Sequence, residues 1–176
     1  NFQHGQLHGL FESYYVNDFL ERKGNFIEGQ LDGFWGFWHI NGRISATGEF
    51  KNGLEIGVWK YFYENGKTLF KGSWSHNTGF PEFFDEKGIL RMKGVMKNGK
   101  LDGPFDVYHE NGQLLSRGNY VEGKKHGRFE VFWENEQLLS RGKYIYGEQE
   151  GLEETYHANG QLQSKGNFID GQLDGF

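Results

Sequence analysis

Seven histidines and 24 carboxylates are the side chains of this sequence that could do chemistry. A metal site or a general acid–base pair needs several of them to converge on one point. His39, His109 and His157 share one position of a repeating pattern but belong to different repeats. If each repeat is a pair of strands about 4.8 Å apart, successive repeats are displaced by roughly 10 Å, and these three cannot bind one metal. The other histidines lie in or near the segments between repeats: His4, His8, His76 and His126.

The sequence offers no other recognisable catalytic arrangement. It has no cysteine, so disulfides and thiolate metal sites are excluded. It shows no phosphate-binding loop, nucleophile elbow or cluster of metal ligands. Most carboxylates that can be placed in register face basic residues, as on a solvated charged surface. We therefore predict no catalytic, cofactor-binding or metal-binding residues, and a protein that is not an enzyme.

Glycine sets the organisation of the chain. Of 28 glycines, 27 fall on four positions of one repeating pattern, and Gly36 alone lies outside it. Most spacings are 24 residues, which indicates similar supersecondary elements stacked on their neighbours. We interpret residues 1–176 as a single array of about seven repeats. The repeats are anchored at Gly9, Gly33, Gly57, Gly79, Gly103, Gly127 and Gly151, and Gly175 follows in the same phase.

Each repeat is predicted to be a β-hairpin. In the fifth repeat, Asn111-Gly112 lies between residues typical of strands and favours a two-residue type I′ turn, in which both central residues need φ > 0. Segments of the type 99–103 are the links to the next hairpin. The prediction is all-β: an elongated, single-sheet array of antiparallel hairpins. The same dipeptide recurs at 41–42, 65–66 and 159–160, Lys87-Gly88 is a weaker version, and Asn17-Asp18 and Asn135-Glu136 depart from it.

The turn fixes the register, so cross-strand partners can be predicted. Asp106 is expected opposite Arg117, and five of the seven repeats place an acid opposite a base in this way. Such pairs contribute a few tenths to about 1 kcal/mol and help to select the register. The other acid–base pairs are Glu12–Lys23, Glu82–Lys93, Glu130–Arg141 and Glu154–Lys165, and the two exceptions are Gly36–Thr47 and Lys60–Lys71.

One face of the sheet, which we call the core face, is predicted to be buried. It places Phe105 opposite Gly118 and Phe129 opposite Gly142, and a ring lying over a glycine explains a residue that otherwise weakens a strand. We expect both rings to be buried. The corresponding pairs elsewhere are Phe11–Gly24, Trp35–Gly48 and Trp59–Gly72. We also assign to this face Leu20, Ile44, Leu90, Leu114, Leu138 and Leu162, and Phe26, Phe50, Trp74, Tyr120, Tyr144 and Phe168.

The opposite face, which we call the charged face, carries the acid–base pairs and one aromatic residue in every repeat. Two interpretations are open for this aromatic row. It is either a second packing row of a thin, twisted sheet or an aromatic-lined surface that binds a partner, because exposed apolar patches beside charge often mark interaction sites. The candidate binding row is Tyr14, Trp38, Phe62, Phe84, Tyr108, Phe132 and Tyr156.

Composition narrows the class of protein. Hydrophobic residues make up 36% of the chain and aromatic residues 18%, so rings must provide most of the buried area. The net charge of −5, with interleaved signs, argues against a nucleic-acid partner. We find no apolar run of membrane-spanning length, and residue 1 does not begin a signal peptide.

The repeat resembles the MORN-variant repeat across essentially the whole chain. The shared features are a G-x-[FW]-x-x-[YF] strand, an x-N-G turn, a [KR]-G-x-[YF] strand and a G-x-x-x-G link, as in Gly103 to Tyr120. The resemblance implies an antiparallel hairpin array. Bacterial proteins of this type are often labelled antitoxin-like, and eukaryotic MORN arrays are linked to phospholipid or protein binding. We therefore expect a non-catalytic scaffold for a protein partner, with an anionic phospholipid headgroup as the alternative.

Two departures from the pattern stand out. The fourth link, at residues 75–79, is two residues short, and Pro81 replaces the expected ring, so a local change of twist or bend is predicted over residues 75–84. Glu153 replaces the ring in the seventh repeat.

Residues 1–10, 25–34 and 167–176 are similar, so the chain starts and stops in the same phase. This favours part of a longer array, with end-to-end self-association as the alternative.

Overall fold

A computed structural model of the chain describes residues 2–75 and 78–174. The described residues form β-strands, turns and short connections, and none of them is helical. The chain divides into two compact units, 1–88 and 89–176, which we call the N-terminal half and the C-terminal half. His76 and Gly175, two residues of the predicted pattern, lie outside the described residues. The prediction of an all-β array of antiparallel hairpins is confirmed.

From residue 9 to residue 75 of the N-terminal half, long strands alternate with tight turns, and each strand pairs with the next in an antiparallel ladder. The short strands at 78–79 and 82–84 both pair with the strand at 68–75. A separate two-stranded ribbon, β1 with β2, precedes them. The strands are β1 (Phe2–Gln3), β2 (Gln6–Leu7), β3 (Gly9–Tyr14), β4 (Leu20–Ile27), β5 (Gln30–Trp38), β6 (Ile44–Lys51), β7 (Leu54–Phe62), β8 (Thr68–Ser75), β9 (Thr78–Gly79) and β10 (Glu82–Phe84).

The C-terminal half repeats this antiparallel arrangement. Two of its links form short separate strands, β14 and β17, each paired to the strand before it. The strands are β11 (Leu90–Lys97), β12 (Lys100–Tyr108), β13 (Leu114–Val121), β14 (Lys124–Lys125), β15 (Gly127–Phe132), β16 (Leu138–Ile145), β17 (Glu148–Gln149), β18 (Gly151–Tyr156), β19 (Leu162–Ile169) and β20 (Gln172–Asp174).

The two-residue hairpin turns lie in the links, where the sequence interpretation placed simple connections. Val121 pairs with Lys124, and both residues between them have positive φ, 51° at Glu122 and 84° at Gly123. Positive φ at both central residues is what a type I′ turn requires. The same pair of positive angles occurs at 4–5, 28–29, 52–53, 98–99, 146–147 and 170–171.

The predicted two-residue turn at Asn111-Gly112 is wrong. Gly112 has φ of 86°, whereas Asn111 is not among the residues with positive φ, so a type I′ turn is excluded. The Gly112 N–H donates to the His109 carbonyl at 3.0 Å, which closes a three-residue loop whose last residue is left-handed. In the departing repeats Asp18 and Glu136 occupy this left-handed position, with φ of 63° and 65°. A register irregularity one step into the strands compensates for the extra loop residue.

The predicted charge register is confirmed within both halves. Asp106 lies opposite Arg117 and Glu130 opposite Arg141, and the two exceptional pairs also form as predicted. The irregularity beside the loop shifts one row, however. Leu114 is in register with Tyr108 of the charged face, and Leu20, Ile44, Leu138 and Leu162 follow the same rule. Their assignment to the core face is therefore wrong. Glu82–Lys93 joins residues of different halves and stays a prediction.

The contacts between rings and glycines differ from the prediction in one systematic way. Phe105 is in register with Gly118 as expected, yet a Cβ at Gly118 would clash with the ring of Phe129, one hairpin further on. A Cβ at Gly48 would likewise clash with Trp59. Each ring therefore covers the glycine of the preceding hairpin rather than that of its own.

The most deeply buried residues are in the N-terminal half. Trp35 and Trp59 are 0% and 1% exposed, and Phe50 packs edge-on against Trp59 with ring centroids 4.9 Å apart. In the C-terminal half, Phe105 and Phe129 are only half-buried, on either side of Tyr120. The expectation that these two phenylalanines are buried is therefore wrong, since phenyl rings cover less area than the indoles at the equivalent positions.

Pro81 interrupts the first strand of the fourth repeat. β9 ends at Gly79 and β10 begins at Glu82, whereas the equivalent strand β15 is continuous. Pro81 has no N–H for the ladder, but it is completely buried, and its Cα lies near the position that a Cβ of Gly72 would occupy. The proline thus takes the place of the missing ring. The predicted change of twist over residues 75–84 stays a prediction.

Candidate binding surface

The candidate aromatic row lies on the charged face, and six of its seven members are half-buried. Tyr14 is the exception at 56% exposed. On each strand the aromatic residue follows the acidic position by two residues, so both side chains point to the same face. The rings of the row are therefore partly packed and partly exposed.

Base, acid and ring form a repeated cluster on this face. Arg141 contacts the carboxylate of Glu154 and lies over the ring of Tyr156, with 5.9 Å between its guanidinium carbon and the ring centroid. Cation–ring contacts of this kind contribute about 0.5–1 kcal/mol at exposed sites. The other clusters are Lys71–Glu82–Phe84, Lys93–Asp106–Tyr108 and Arg117–Glu130–Phe132.

These ion pairs join consecutive hairpins. Arg117 reaches Glu130 of the next hairpin at 3.8 Å, and Arg141 contacts Glu154 of the hairpin after that. The sequence interpretation paired each base with the acid of its own hairpin, which is correct for Glu12–Lys23 at 2.8 Å. A central strand has a neighbour on each side, and the turn-based register takes only one of them into account.

The clusters change the pKa of their members in the directions expected for mutual stabilisation. The hydrogen bond from Arg141 lowers the pKa of Glu154, and the one from Lys23 lowers the pKa of Glu12. Burial of the ring, followed by its hydrogen bond to Glu154, raises the pKa of Tyr156. Glu12 and Glu154 therefore stay ionised, and Tyr156 stays protonated, across the physiological pH range.

Gly36, the glycine outside the repeat pattern, has a role on this face. It occupies the acidic position of the second repeat, opposite Thr47. A Cβ at Gly36 would lie 2.5 Å from Cη2 of Trp38, so the indole covers the glycine. A carboxylate is replaced here by the face of a ring, which explains why both charges of this repeat are missing together.

A second apolar row on the charged face was missed by the sequence interpretation. Phe34 is 64% exposed and Val58 57% exposed, and each lies two residues before the acidic position of its strand. The two are therefore on the same face as Trp38 and Phe62. The signal was the 24-residue spacing of apolar residues directly after the anchor glycine. The exposed row is Leu10, Phe34, Val58 and Phe80 in the N-terminal half and Leu152 in the C-terminal half.

Two histidines of the hairpin loops, His39 and His109, make hydrogen bonds to the next hairpin. Nε2 of His39 is 2.9 Å from the carbonyl oxygen of Phe62, and Nε2 of His109 is 2.9 Å from that of Phe132. A carbonyl only accepts, so Nε2 carries the proton in both. Polar rings at the same position in other repeats donate in the same way: Tyr15 to Trp38, Tyr63 to Phe84 and Trp133 to Tyr156. These bonds hold the backbone of the candidate row in place.

The asparagines of the loops form a parallel ladder. Oδ1 of Asn41 accepts from the Arg43 N–H at 3.0 Å, and its Nδ2 donates to the carbonyl of Glu64 in the next loop at 3.2 Å. Asn65 makes both kinds of bond in the same way. Each amide thus shapes its own turn and ties it to the next one.

An apolar depression of about 460 Å³ opens on the core face of the N-terminal half. Phe37, Phe50, Trp59 and Tyr61 line it. Burial raises the pKa of Tyr61 to about 12, and its hydroxyl donates to Glu55 at 3.2 Å. Within residues 2–75 and 78–174, no three metal-binding side chains lie close enough to hold an ion. The same residues contain no helix long and apolar enough to cross a membrane.

The fold defines a class of protein, an array of β-hairpin repeats with one packed and one charged face. The family model of the MORN repeat variant matches residues 55–76, 101–122, 125–146 and 149–170. The chain belongs to the MORN repeat variant family, whose repeats are generally non-catalytic modules.

Other comparisons are weak. Crystal structures of TarM and of an S. aureus TarM variant with fondaparinux, alpha-GlcNAc-glycerol and UDP align at a TM-score of 0.38. Sequence identity is 12% and 10%, and the alignment covers 53% of this chain and 19% of TarM. No curated protein matches the sequence.

Proposed function

We propose that this chain is a non-catalytic scaffold that binds a protein partner through its charged face. The observation that carries the proposal is the exposed apolar row on the charged face. Phe34, Val58 and Phe80 are each more than half exposed, and large exposed apolar residues beside charge are typical of interaction surfaces. The candidate row, from Tyr14 to Tyr156, belongs to the same face within each half, and we infer that its partly exposed rings add aromatic area to the contact.

Charge pairing also favours a protein over a phosphate-rich ligand. Lys23, Lys71, Lys93, Arg117 and Arg141 each have a carboxylate partner within 4 Å, and the net charge is −5. A phosphate would have to displace these carboxylates. The antitoxin-like role implied by the family resemblance has no support from the contacts described above.

A phospholipid headgroup is a second candidate because of one place on the charged face. Lys60 lies directly opposite Lys71, and like charges in register are unfavourable unless an anion binds nearby. Lys71 has Glu82 as a partner at 2.7 Å, which leaves Lys60 as the cation available to such an anion.

The test starts from affinity capture with the whole chain as bait, followed by binding measurements with the purified partner. The double variant Phe34→Ser/Val58→Ser should weaken binding at least tenfold because two exposed apolar contacts are lost. Val16→Ser is the matched control, since Val16 is fully exposed in a loop. Equal binding by both variants and the wild type would refute the proposed surface. Flotation with anionic vesicles, reduced by Lys60→Gln, would instead support the lipid candidate.

A further inference from the structure

The core faces of the two halves differ in the charge that accompanies their rings. In the C-terminal half, the ammonium group of Lys125 is 4.9 Å from the ring centroids of both Phe129 and Tyr144. In the N-terminal half, Glu55 occupies the equivalent position, two residues after the glycine of the link turn. The chain therefore supplies its own cation to the rings of one half and a carboxylate to the rings of the other.

Glu55 lines the apolar depression of about 460 Å³ on the core face of the N-terminal half. The small side chain of Ala46 belongs to the same lining and lies in register between Phe37 on one neighbouring strand and Tyr61 on the other. Strands two positions apart in a sheet are separated by about 10 Å. The two rings are therefore close enough for one ligand group to contact both.

Trp59 holds these two rings in place. It is 1% exposed, and its ring centroid lies 6.3 Å from that of Phe37 and 5.8 Å from that of Tyr61. Phe37 and Tyr61 are half-buried, so part of each ring still faces solvent. Because the rings are already packed against a buried indole, a ligand does not have to order them when it binds.

The depression favours a positive charge. Glu55 is the only acid in the described part of its lining, which includes no lysine or arginine. The Tyr61 hydroxyl donates to Oε1 of Glu55 at 3.2 Å and fixes the carboxylate beside the ring, which leaves Oε2 available. Arg22, the base in register with Phe37, lies over the ring of Phe11 at 5.2 Å and outside the depression. The carboxylate and the negative faces of the rings both attract a cation.

We propose that this depression binds a quaternary ammonium group, as in choline. Such a group presents its charge through methyl groups and donates no hydrogen bond, so it suits an apolar lining with one carboxylate. A primary ammonium is strongly hydrated and has three N–H donors to satisfy, for which the single carboxylate of Glu55 is a poor substitute for water. The site lies on the core face and is independent of the binding function proposed for the charged face.

The first experiment compares two ligands of the same shape. The whole chain is titrated calorimetrically at constant ionic strength with choline and with neohexyl alcohol, the uncharged analogue in which carbon replaces the nitrogen. Choline should bind about tenfold more tightly or better, because Glu55 and the ring faces attract only the charged ligand. Flotation with phosphatidylcholine vesicles then identifies the source: flotation that choline abolishes assigns the group to a lipid headgroup, and its absence assigns it to a free molecule.

Two variants separate charge from shape. Glu55→Gln should weaken choline binding about tenfold and leave the binding of neohexyl alcohol unchanged, which would show that the depression is intact. Glu64→Gln, which removes an exposed loop acid of the same half, should change neither affinity.

Equal affinities of the wild-type chain for the two ligands would overturn the proposal, since an apolar ligand or an apolar segment of a second copy would then be the better occupant. The absence of choline binding would also overturn it, and so would equal losses in Glu55→Gln and Glu64→Gln.

Discussion

The two halves of the chain carry the same hairpin register but stabilise it differently. In the C-terminal half the central row of the charged face alternates in sign without a break: Lys93, Asp106, Arg117, Glu130, Arg141, Glu154 and Lys165. In the N-terminal half the corresponding row is Glu12, Lys23, Gly36, Thr47, Lys60, Lys71 and Glu82. From Lys23 to Lys71, this row contains no acidic residue, and its charges do not alternate in sign.

The core face shows the opposite trend. The N-terminal half buries Trp35 and Trp59 almost completely, whereas the corresponding Phe105 and Phe129 of the C-terminal half stay half-buried. One backbone pattern thus tolerates two sources of stability, indole burial in one half and alternating charge in the other. Burial is worth more, because exposed ion pairs contribute only about 0–1 kcal/mol each.

The largest difference between the halves is expected for truncation of the core rings. Trp59→Ala should lower the free energy of unfolding by about 3–5 kcal/mol, since it removes a fully buried indole. Phe129→Ala should cost about half as much because its ring is half-buried. Denaturant unfolding measures both. Equal losses would show that the two halves are packed alike.

The next largest difference between the halves is expected when a methyl group is added to a strand glycine. Gly48→Ala forces a Cβ into the ring of Trp59 and should cost about 1–3 kcal/mol. At Gly142 the nearest atom to a new Cβ is Nε2 of Gln149 at 3.3 Å, because Glu153 replaces the ring there. Gly142→Ala should therefore be near neutral or slightly stabilising. Thermal unfolding of the two variants measures both effects. A destabilised Gly142→Ala variant would contradict the finding that each ring covers the glycine of the preceding hairpin.

The left-handed loop position offers a smaller effect within the C-terminal half. Glu136 has φ of 65°, where a side chain costs about 1–2 kcal/mol and glycine does not. Glu136→Gly should raise the free energy of unfolding, and Gly112→Ala at the equivalent position should lower it by about 1 kcal/mol. If both substitutions shift stability in the same direction, the three-residue loop is wrongly described.

The smallest effect is the pH dependence of the charge row. The pKa of Glu154 is lowered in the folded chain, so its contribution is present above the unfolded pKa and is lost as the pH falls through the folded value. Glu154→Gln should flatten the loss of stability on acidification. Glu134→Gln is the control, since Glu134 is exposed at a loop. Unfolding curves at a series of acidic pH values measure the difference. The same dependence of stability on pH in both variants would show that the Glu154 cluster does not contribute to it.

Local sequence determined the period, the pairing of strands and the two faces. The 24-residue spacing of glycines predicts the hairpins, and the opposition of Asp106 and Arg117 follows from the position of the loop. It could also have revealed the two-residue turns of the links, because His4-Gly5 and Glu122-Gly123 are dipeptides that end in glycine, as Asn111-Gly112 does. The pairing within a hairpin depends on residues close together in the chain, so a single repeat contains that information, whereas the period appears only across successive repeats.

Tertiary structure decided which neighbour each side chain contacts. A strand inside a sheet has two neighbours, and the turn specifies only one of them. That is why the ring of Phe129 lies over Gly118 and not Gly142, and why Arg117 meets Glu130 rather than Asp106. The burial of Trp35 and Trp59, and the exposure of Phe34 and Val58, likewise depend on how successive hairpins pack, which no single repeat specifies.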